Sequence, residues 1–154
     1  MKILSSAFDH NGLIPSRYTC DGLDCNPPLE FKGVPLGTCS LVLIMDDPDV
    51  PESIKSDRVW DHWIVFNIPP TITSISENGK PIGILGTGTS GNQQYHGPCP
   101  PDGEHRYFFK LYALDIKLDL SAGVGKEKVE QAMMGHVIDS TELIGRYSRP
   151  CNAC

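Results

Sequence analysis

The sequence predicts a mainly β fold, antiparallel β-sheets packed around one core with a few short helices, on three observations. Thirteen prolines and fifteen glycines punctuate a chain of 154 residues, and they fall between short apolar runs rather than inside them. Three of those runs, LVLIMDD (41–47), WIVFNI (63–68) and RYFFKLYAL (106–114), have strand length and are rich in β-branched and aromatic residues. Only one segment has the spacing of an amphipathic helix.

Taken in order, NPPLEFKGVP (26–35) is a breaker-rich connection with room for a short strand at most. Residues 41–47 and 63–68 are buried strands. IPPTITSI (68–75) and KPIGILGTGTSGNQQYHGPCPP (80–101) are again connections, and the second is too long for an idle turn, so it points to a site. Residues 106–114 form the third strand. The helix runs from Ser121 as N-cap through KEKVEQAMM to Gly135 as C-cap. Its apolar face is Val129 with Ala132 and Met133, at i, i+3, i+4 spacing. ELIGRY (142–147) closes the fold as a last strand. A chain this long suits one domain with a single sizeable core.

A net charge of −6 argues against broad nucleic-acid or anionic-membrane binding, which needs a dense field of Lys and Arg. Any anionic partner must be held locally. The opening MKILSSAFDHNG lacks the apolar core of a secretory signal, and no long apolar span follows. A cytoplasmic location is therefore expected, with no transmembrane segment. In a reducing compartment the six cysteines (Cys20, Cys25, Cys39, Cys99, Cys151, Cys154) are expected to be mostly free thiols. Cys151 and Cys154 form a terminal C-x-x-C, which reads as a mobile tail, a redox pair, or half a zinc site completed by Cys20 and Cys25.

Side chains alternate faces along a strand, so parity places the polar residues. Asp47 falls on the Leu41, Leu43, Met45 face of the first strand. His62 falls with Trp60, Ile64 and Phe66 on the second, and His105 and Tyr107 with Phe109 and Leu111 on the third. Each strand thus carries polar groups at one end of an apolar face. Burying an Asp, two His and a Tyr together costs stability unless they satisfy one another or bind something; if the three faces meet, these groups line one pocket rim, whereas each taken alone also fits a hydrogen-bonded core histidine or, for Asp47, a cap on the turn DDPDVP. Either histidine would become cationic near its ordinary pKa of about 6.5. The prolines crowded there, Pro48, Pro51, Pro98, Pro100 and Pro101, are expected to include at least one cis bond to fold the chain back tightly.

DDPDVP (46–51), VWDHWIVFNIPP (59–70) and YHGPCPPDGEHRYFFKLYALD (95–115) resemble, in order and spacing, the signature segments of the phosphatidylethanolamine-binding protein family, which includes the Raf kinase inhibitor protein. IPSRYTCDG (14–22), NPPLEFKGVP and MMGHVIDSTELIGRY (133–147) resemble its bacterial branch. The resemblance covers residues 1–148 as a single domain and leaves 149–154 as a short Cys-containing tail. It implies antiparallel sheets around one core and a small pocket for phosphate or a phosphorylated head group. Asp47 matches the first aspartate of the DPD motif, His62 the W-x-H histidine, and His105 and Tyr107 the HRY pair, while Cys99, Pro100 and Pro101 supply the wall.

The resemblance also implies a non-enzymatic binding role, a kinase- or protease-inhibiting activity, a phosphate-bearing small molecule or phosphorylated protein as partner, and no cofactor. Eukaryotic members carry a C-terminal helix beside the pocket that this chain lacks, which implies a homodimer as in bacterial members. The residues alone leave a second reading open, a metal-dependent enzyme with Asp47, His62 and His105 as ligands. GILGTGTSG (83–91) lacks the Lys-Ser/Thr ending of a phosphate-binding loop, and no serine sits in a Gly-x-Ser-x-Gly elbow.

Overall fold

The computed structural model describes residues 1–150. Its elements in chain order are β1 (Lys2–Leu4), β2 (Gly12–Leu13), a 3₁₀ turn at Ser16–Tyr18, β3 (Leu29–Lys32), β4 (Ser40–Asp47), β5 (Trp60–Ile68), β6 (Ser74–Ile75), β7 (Ile84–Leu85), β8 (Glu104–Leu114), α1 (Lys126–Met133) and β9 (Val137–Ser148). The fold is mainly β, with two sheets and a lone α-helix among the described residues.

The larger sheet has six strands in the order β2-β9-β8-β4-β5-β7, antiparallel except for the parallel pair β2–β9. The smaller sheet is β1-β3-β6, all antiparallel. All eight residues of β4 are buried, because the larger sheet is covered on both faces at its centre, and that is why the β4 sequence is a continuous apolar run rather than an alternation. Leu41, Leu43 and Met45 join Phe109, Leu111, Phe31 and Ile75 in the core between the sheets. Val42 and Ile44 join Ile64, Phe66, Val129 and Met133 in a second cluster beneath α1.

Several expectations need correction. The helix starts at Lys126 after Gly125, not at Ser121. The Gly123 N–H donates to the Leu85 carbonyl, and the Gly123 carbonyl accepts from Thr87 Oγ1, so this stretch is pinned to the β7 edge before it can coil. Its end agrees better, with Gly135 at φ +80° just past the last turn. No cis peptide bond occurs among the described residues. The chain reverses instead through left-handed residues, such as Arg58 at φ 64° and Gly103 at φ 50° on either side of the proline-rich turns.

The cysteines also differ from expectation. Cys20 and Cys99 form a disulfide, while Cys25 and Cys39 are free. The bond follows from two loops that the fold brings side by side, which spacing in the sequence does not show. Cys20 is therefore unavailable for a zinc site in this oxidised form, and Cys151 and Cys154 lie outside the described residues. No helix among the described residues is long and apolar enough to cross a membrane.

Candidate ligand-binding site

The ends of β4, β5 and β8 meet at a cavity of about 180 Å³. Asp47 ends β4 and pairs across the sheet with Trp60, the first residue of β5. Asp47 Oδ1 accepts the Asp49 N–H (2.7 Å), a local turn that holds the DPD segment in place. Asp49 in turn grips β8, taking the backbone N–H of Arg106 and two guanidinium N–H groups at 2.8–3.0 Å. This clamp fixes where β4 ends relative to the HRY segment, a role that sequence reading missed.

His62 reaches the cavity by a different route from the one parity predicts. Met45 faces Trp63 and Asp46 faces Asp61, so His62 is an extra residue in a β-bulge. It lines the cavity with Trp60, while Ile64 and Phe66 lie on the opposite face, under α1. Its Nδ1 is 2.6 Å from the His96 carbonyl, which can only accept, so Nδ1 carries the proton. Burial pushes the His62 pKa down to about 4. The ring is thus neutral, with Nε2 a lone-pair acceptor making no hydrogen bond among the described residues.

The loop from His96 to Gly103 forms the remaining wall. Its N-terminal half is sewn to the segment after the 3₁₀ turn: the Gly97 N–H donates to Asp24 Oδ1 (2.8 Å), the Cys20 N–H to the Pro98 carbonyl (3.1 Å), and Cys99 is bonded to Cys20. A Cβ at Gly97 would collide with the Asp24 carboxylate and the Tyr18 carbonyl, so only glycine permits this approach. Cys99 and Pro101 border the cavity, and Pro100 is buried behind it.

Tyr107 and His105 make the electrostatic centre. Tyr107 lines the cavity and is fully buried, yet its hydroxyl has no well-formed hydrogen bond to any described residue. Burial raises its pKa far above the ordinary tyrosine value, helped by the charge of the Asp47 carboxylate, with which the hydroxyl makes a contact short of a well-formed hydrogen bond. His105 does not border the cavity. Its Nδ1–H donates to Asp47 Oδ2 (2.6 Å) and its Nε2–H to Asp102 Oδ1 (2.8 Å). Burial disfavours charge on the ring, but the two carboxylates outweigh it and the His105 pKa is raised. Burial likewise raises Asp47, against the hydrogen bonds from His105 and the Asp49 N–H.

The structure therefore brings Asp47, His62, Cys99, Pro101 and Tyr107 around one cavity, with His105 and Pro100 immediately behind the wall. Val50, Ile54, Trp60 and His96 complete the lining and were not singled out by sequence; an apolar or aromatic residue next to a turn carries no signal of its own. Neither nitrogen of His105 has a free lone pair, and among the described residues no three or more His, Cys, Asp or Glu are arranged to hold a metal ion. A wider hollow of about 390 Å³ lies by Asp24, Asn26 and Tyr95. There Asp24 is bonded to Gly97, and Asn26 to the Pro27 and Ser76 carbonyls.

The family model for phosphatidylethanolamine-binding protein matches residues 4–148. A UPF0098 protein of Methanothermobacter thermautotrophicus is 51% identical over 155 residues, covering 97% of this chain and 99% of that protein. The solved structure of a Chlamydia trachomatis protein, described as a homologue of phosphatidylethanolamine-binding protein, has a TM-score of 0.94 at 44% identity, covering 97% of each chain. Escherichia coli YbcL, described as a new member of the mammalian family, has a TM-score of 0.86 at 27% identity, covering 97% of this chain and 98% of that one. With its signature segments assembled at one cavity and these likenesses running nearly end to end, the chain belongs to the phosphatidylethanolamine-binding protein family.

Proposed function

We propose that this chain is a non-enzymatic binding protein whose cavity takes a small phosphate-bearing group, on a free molecule or on a phosphorylated protein. The observation that carries the reading is the Tyr107 hydroxyl, a buried donor on a cavity-lining residue that makes no well-formed hydrogen bond among the described residues, with the Asp47 carboxylate nearby. Leaving such a group unpaired costs about 1–3 kcal/mol, a cost that a bound acceptor would remove. The adjacent imidazolium of His105 supplies positive charge, and the neutral His62 Nε2 accepts a hydrogen bond from the remainder of the ligand. A metal-dependent enzyme is less well supported, since His105 has no lone pair to give.

A kinase- or protease-inhibiting role and a homodimer belong to the same proposal on family resemblance alone, and fold kinship does not fix function. Cytoplasmic residence is a weaker part of it. Cys99 is exposed and bonded to Cys20, and such bonds are rare in reducing compartments; alkylation of free thiols in intact cells before lysis decides the point.

Calorimetric titration with O-phosphoethanolamine tests the binding reading. One equivalent should bind per chain, and sulfate, whose own charge is constant between about pH 5 and 8, should compete more weakly as pH rises through the raised His105 pKa and the imidazolium is lost. Absence of binding, or a sulfate affinity that rises with pH, contradicts the reading.

A further inference from the structure

The wall segment 99–103 is held differently from the chain on either side of it. Just upstream, every residue has a hydrogen-bonded anchor: the Tyr95 hydroxyl donates to the Tyr18 carbonyl (2.7 Å), the His96 N–H to the His62 carbonyl (3.2 Å) and the Gly97 N–H to Asp24 Oδ1 (2.8 Å), and the Pro98 carbonyl accepts the Cys20 N–H (3.1 Å). Downstream, β8 begins at Glu104. Between them, residues 99–103 make no backbone hydrogen bond among the described residues, and Pro100 and Pro101 have no N–H to give. Two polar or covalent attachments remain, the Cys99–Cys20 disulfide and the contact of Asp102 Oδ1 with His105 Nε2. Cys99 and Pro101 are the residues of this segment that border the cavity, so the covalent bond is the tether at the cavity wall itself.

The two sides of that bond differ. Cys20 sits in a stretch knitted to its surroundings: Thr19 Oγ1 donates to the Ser16 carbonyl and accepts the Asp21 N–H, and the Gly22 N–H donates to the Thr19 carbonyl. The Asp21 carboxylate takes the Tyr147 hydroxyl (2.6 Å) and the Arg149 guanidinium (2.9 Å) from the end of β9 and just beyond it. Cys99, by contrast, is exposed, and Cys20 less so. With the bond cut, the Cys20 side stays and the Cys99 side is released. The Cys20–Pro98 hydrogen bond keeps the two cysteines adjacent, so the same bond can close again.

We infer that the Cys20–Cys99 bond is a reversible redox latch on the cavity wall: oxidised, it holds the wall in the binding position, and reduction by a dithiol frees the wall and lowers affinity for the ligand. The inference rests on reading the cavity as a phosphate-binding pocket. A thiolate of the dithiol attacks the sulfur of Cys99, the exposed member of the pair, forming a mixed disulfide there and expelling Cys20 as a thiolate that takes up a proton. The second thiolate of the dithiol then attacks its partner sulfur in the mixed disulfide and releases Cys99. Two electrons have passed from the dithiol, now a disulfide, to the protein, now holding two thiols. Exposed disulfides are the labile, regulatory ones. Linkage makes the effect two-way, since a ligand that favours the latched wall makes the bond harder to reduce by the same factor.

The test titrates O-phosphoethanolamine into the protein before and after reduction with dithiothreitol, takes the Cys20→Ser, Cys99→Ser variant as a permanently released control, and reads amide order parameters by NMR in both redox states. Reduction should lower affinity about five- to tenfold, as for a wall in place about a tenth to a fifth of the time. The variant should bind as reduced wild type does and ignore dithiothreitol. Order parameters of Cys99, Asp102 and Gly103 should fall on reduction toward those of flexible backbone, while those of residues 19–22 stay. Saturating O-phosphoethanolamine should shift the dithiothreitol ratio at half-reduction by the same factor as the affinity. Equal affinity in the two redox states, or order parameters unchanged by reduction, overturns the latch and leaves the pocket reading standing. If neither redox state binds while the order parameters still fall, the pocket reading is overturned and the tether is upheld.

Discussion

His62 and His105 approach the same cavity with opposite charge preferences, and each follows from what its ring nitrogens touch. A carbonyl at Nδ1 and burial keep His62 neutral, with a pKa near 4; two carboxylates keep His105 protonated. The consequences for stability run in opposite directions. The folded His62 pKa lies below its unfolded value of about 6.5, so the unfolded chain takes up the proton first and stability is lost as pH falls from about 6.5 to 4. The loss amounts to about 3 kcal/mol at its limit. His105, raised in the fold, favours the folded state at low pH and loses that contribution as pH rises above about 6.5. Urea unfolding of His62→Gln should show a shallower fall in stability between pH 6.5 and 4 than wild type; an identical slope would mean that His62 is not held neutral. The motif segments point to Asp47, His105 and Tyr107, and the fold brings Asp47 and Tyr107 to one cavity with His105 hydrogen-bonded to Asp47 behind it. The charge state of each histidine was not legible in the sequence, because it depends on a carbonyl from residue 96 and a carboxylate from residue 102 that no strand parity locates.

At the level of elements, the strands that cross the middle of the fold could be read and those at its margins could not. β4, β5 and β8 are long enough for apolar patterning to show, and all are present. β2, β6 and β7 have two residues each, too few to establish a period; they exist because neighbouring edges need partners. The bulge in β5 is the instructive miss, since D-H-W-I-V reads smoothly as an alternating strand and only pairing with β4 shows that His62 and Trp63 turn to the same side. The loop 80–101 contributes His96 and Cys99 to the cavity wall, and its anchor, the bond from Cys99 to Cys20 across 79 residues, leaves no trace in local patterning. Closing so long a loop stabilises the fold by about 2–4 kcal/mol. The Cys20→Ser, Cys99→Ser double variant should unfold at correspondingly lower urea and exchange its 97–103 amides faster. An unchanged midpoint would show that the Asp24–Gly97 and Cys20–Pro98 hydrogen bonds hold the wall unaided.

Across the whole molecule, the larger sheet is covered on both faces at its centre, with one core between the sheets and another beneath α1, and the cavity lies where β4, β5 and β8 meet. A molecule of net charge −6 does not attract anions over distance, so affinity must come from a few buried donors. Beside the cavity, Ile54 remains half exposed, and an interface at the cavity mouth would cover it in the proposed homodimer. Solution scattering at micromolar concentration should then give about twice the chain mass of 16.9 kDa, and Ile54→Asp should return a monomer; a wild-type monomer contradicts the dimer without touching the pocket. The central claim, that the Tyr107 hydroxyl is kept unpaired for a ligand, is tested most directly by titrating O-phosphoethanolamine into wild type and Tyr107→Phe. Removing a hydroxyl that makes no well-formed hydrogen bond in the free protein should leave its thermal stability nearly unchanged, while phosphate-ester affinity falls about tenfold or more with the lost hydrogen bond to a charged group. Equal affinity in the two proteins would contradict the claim.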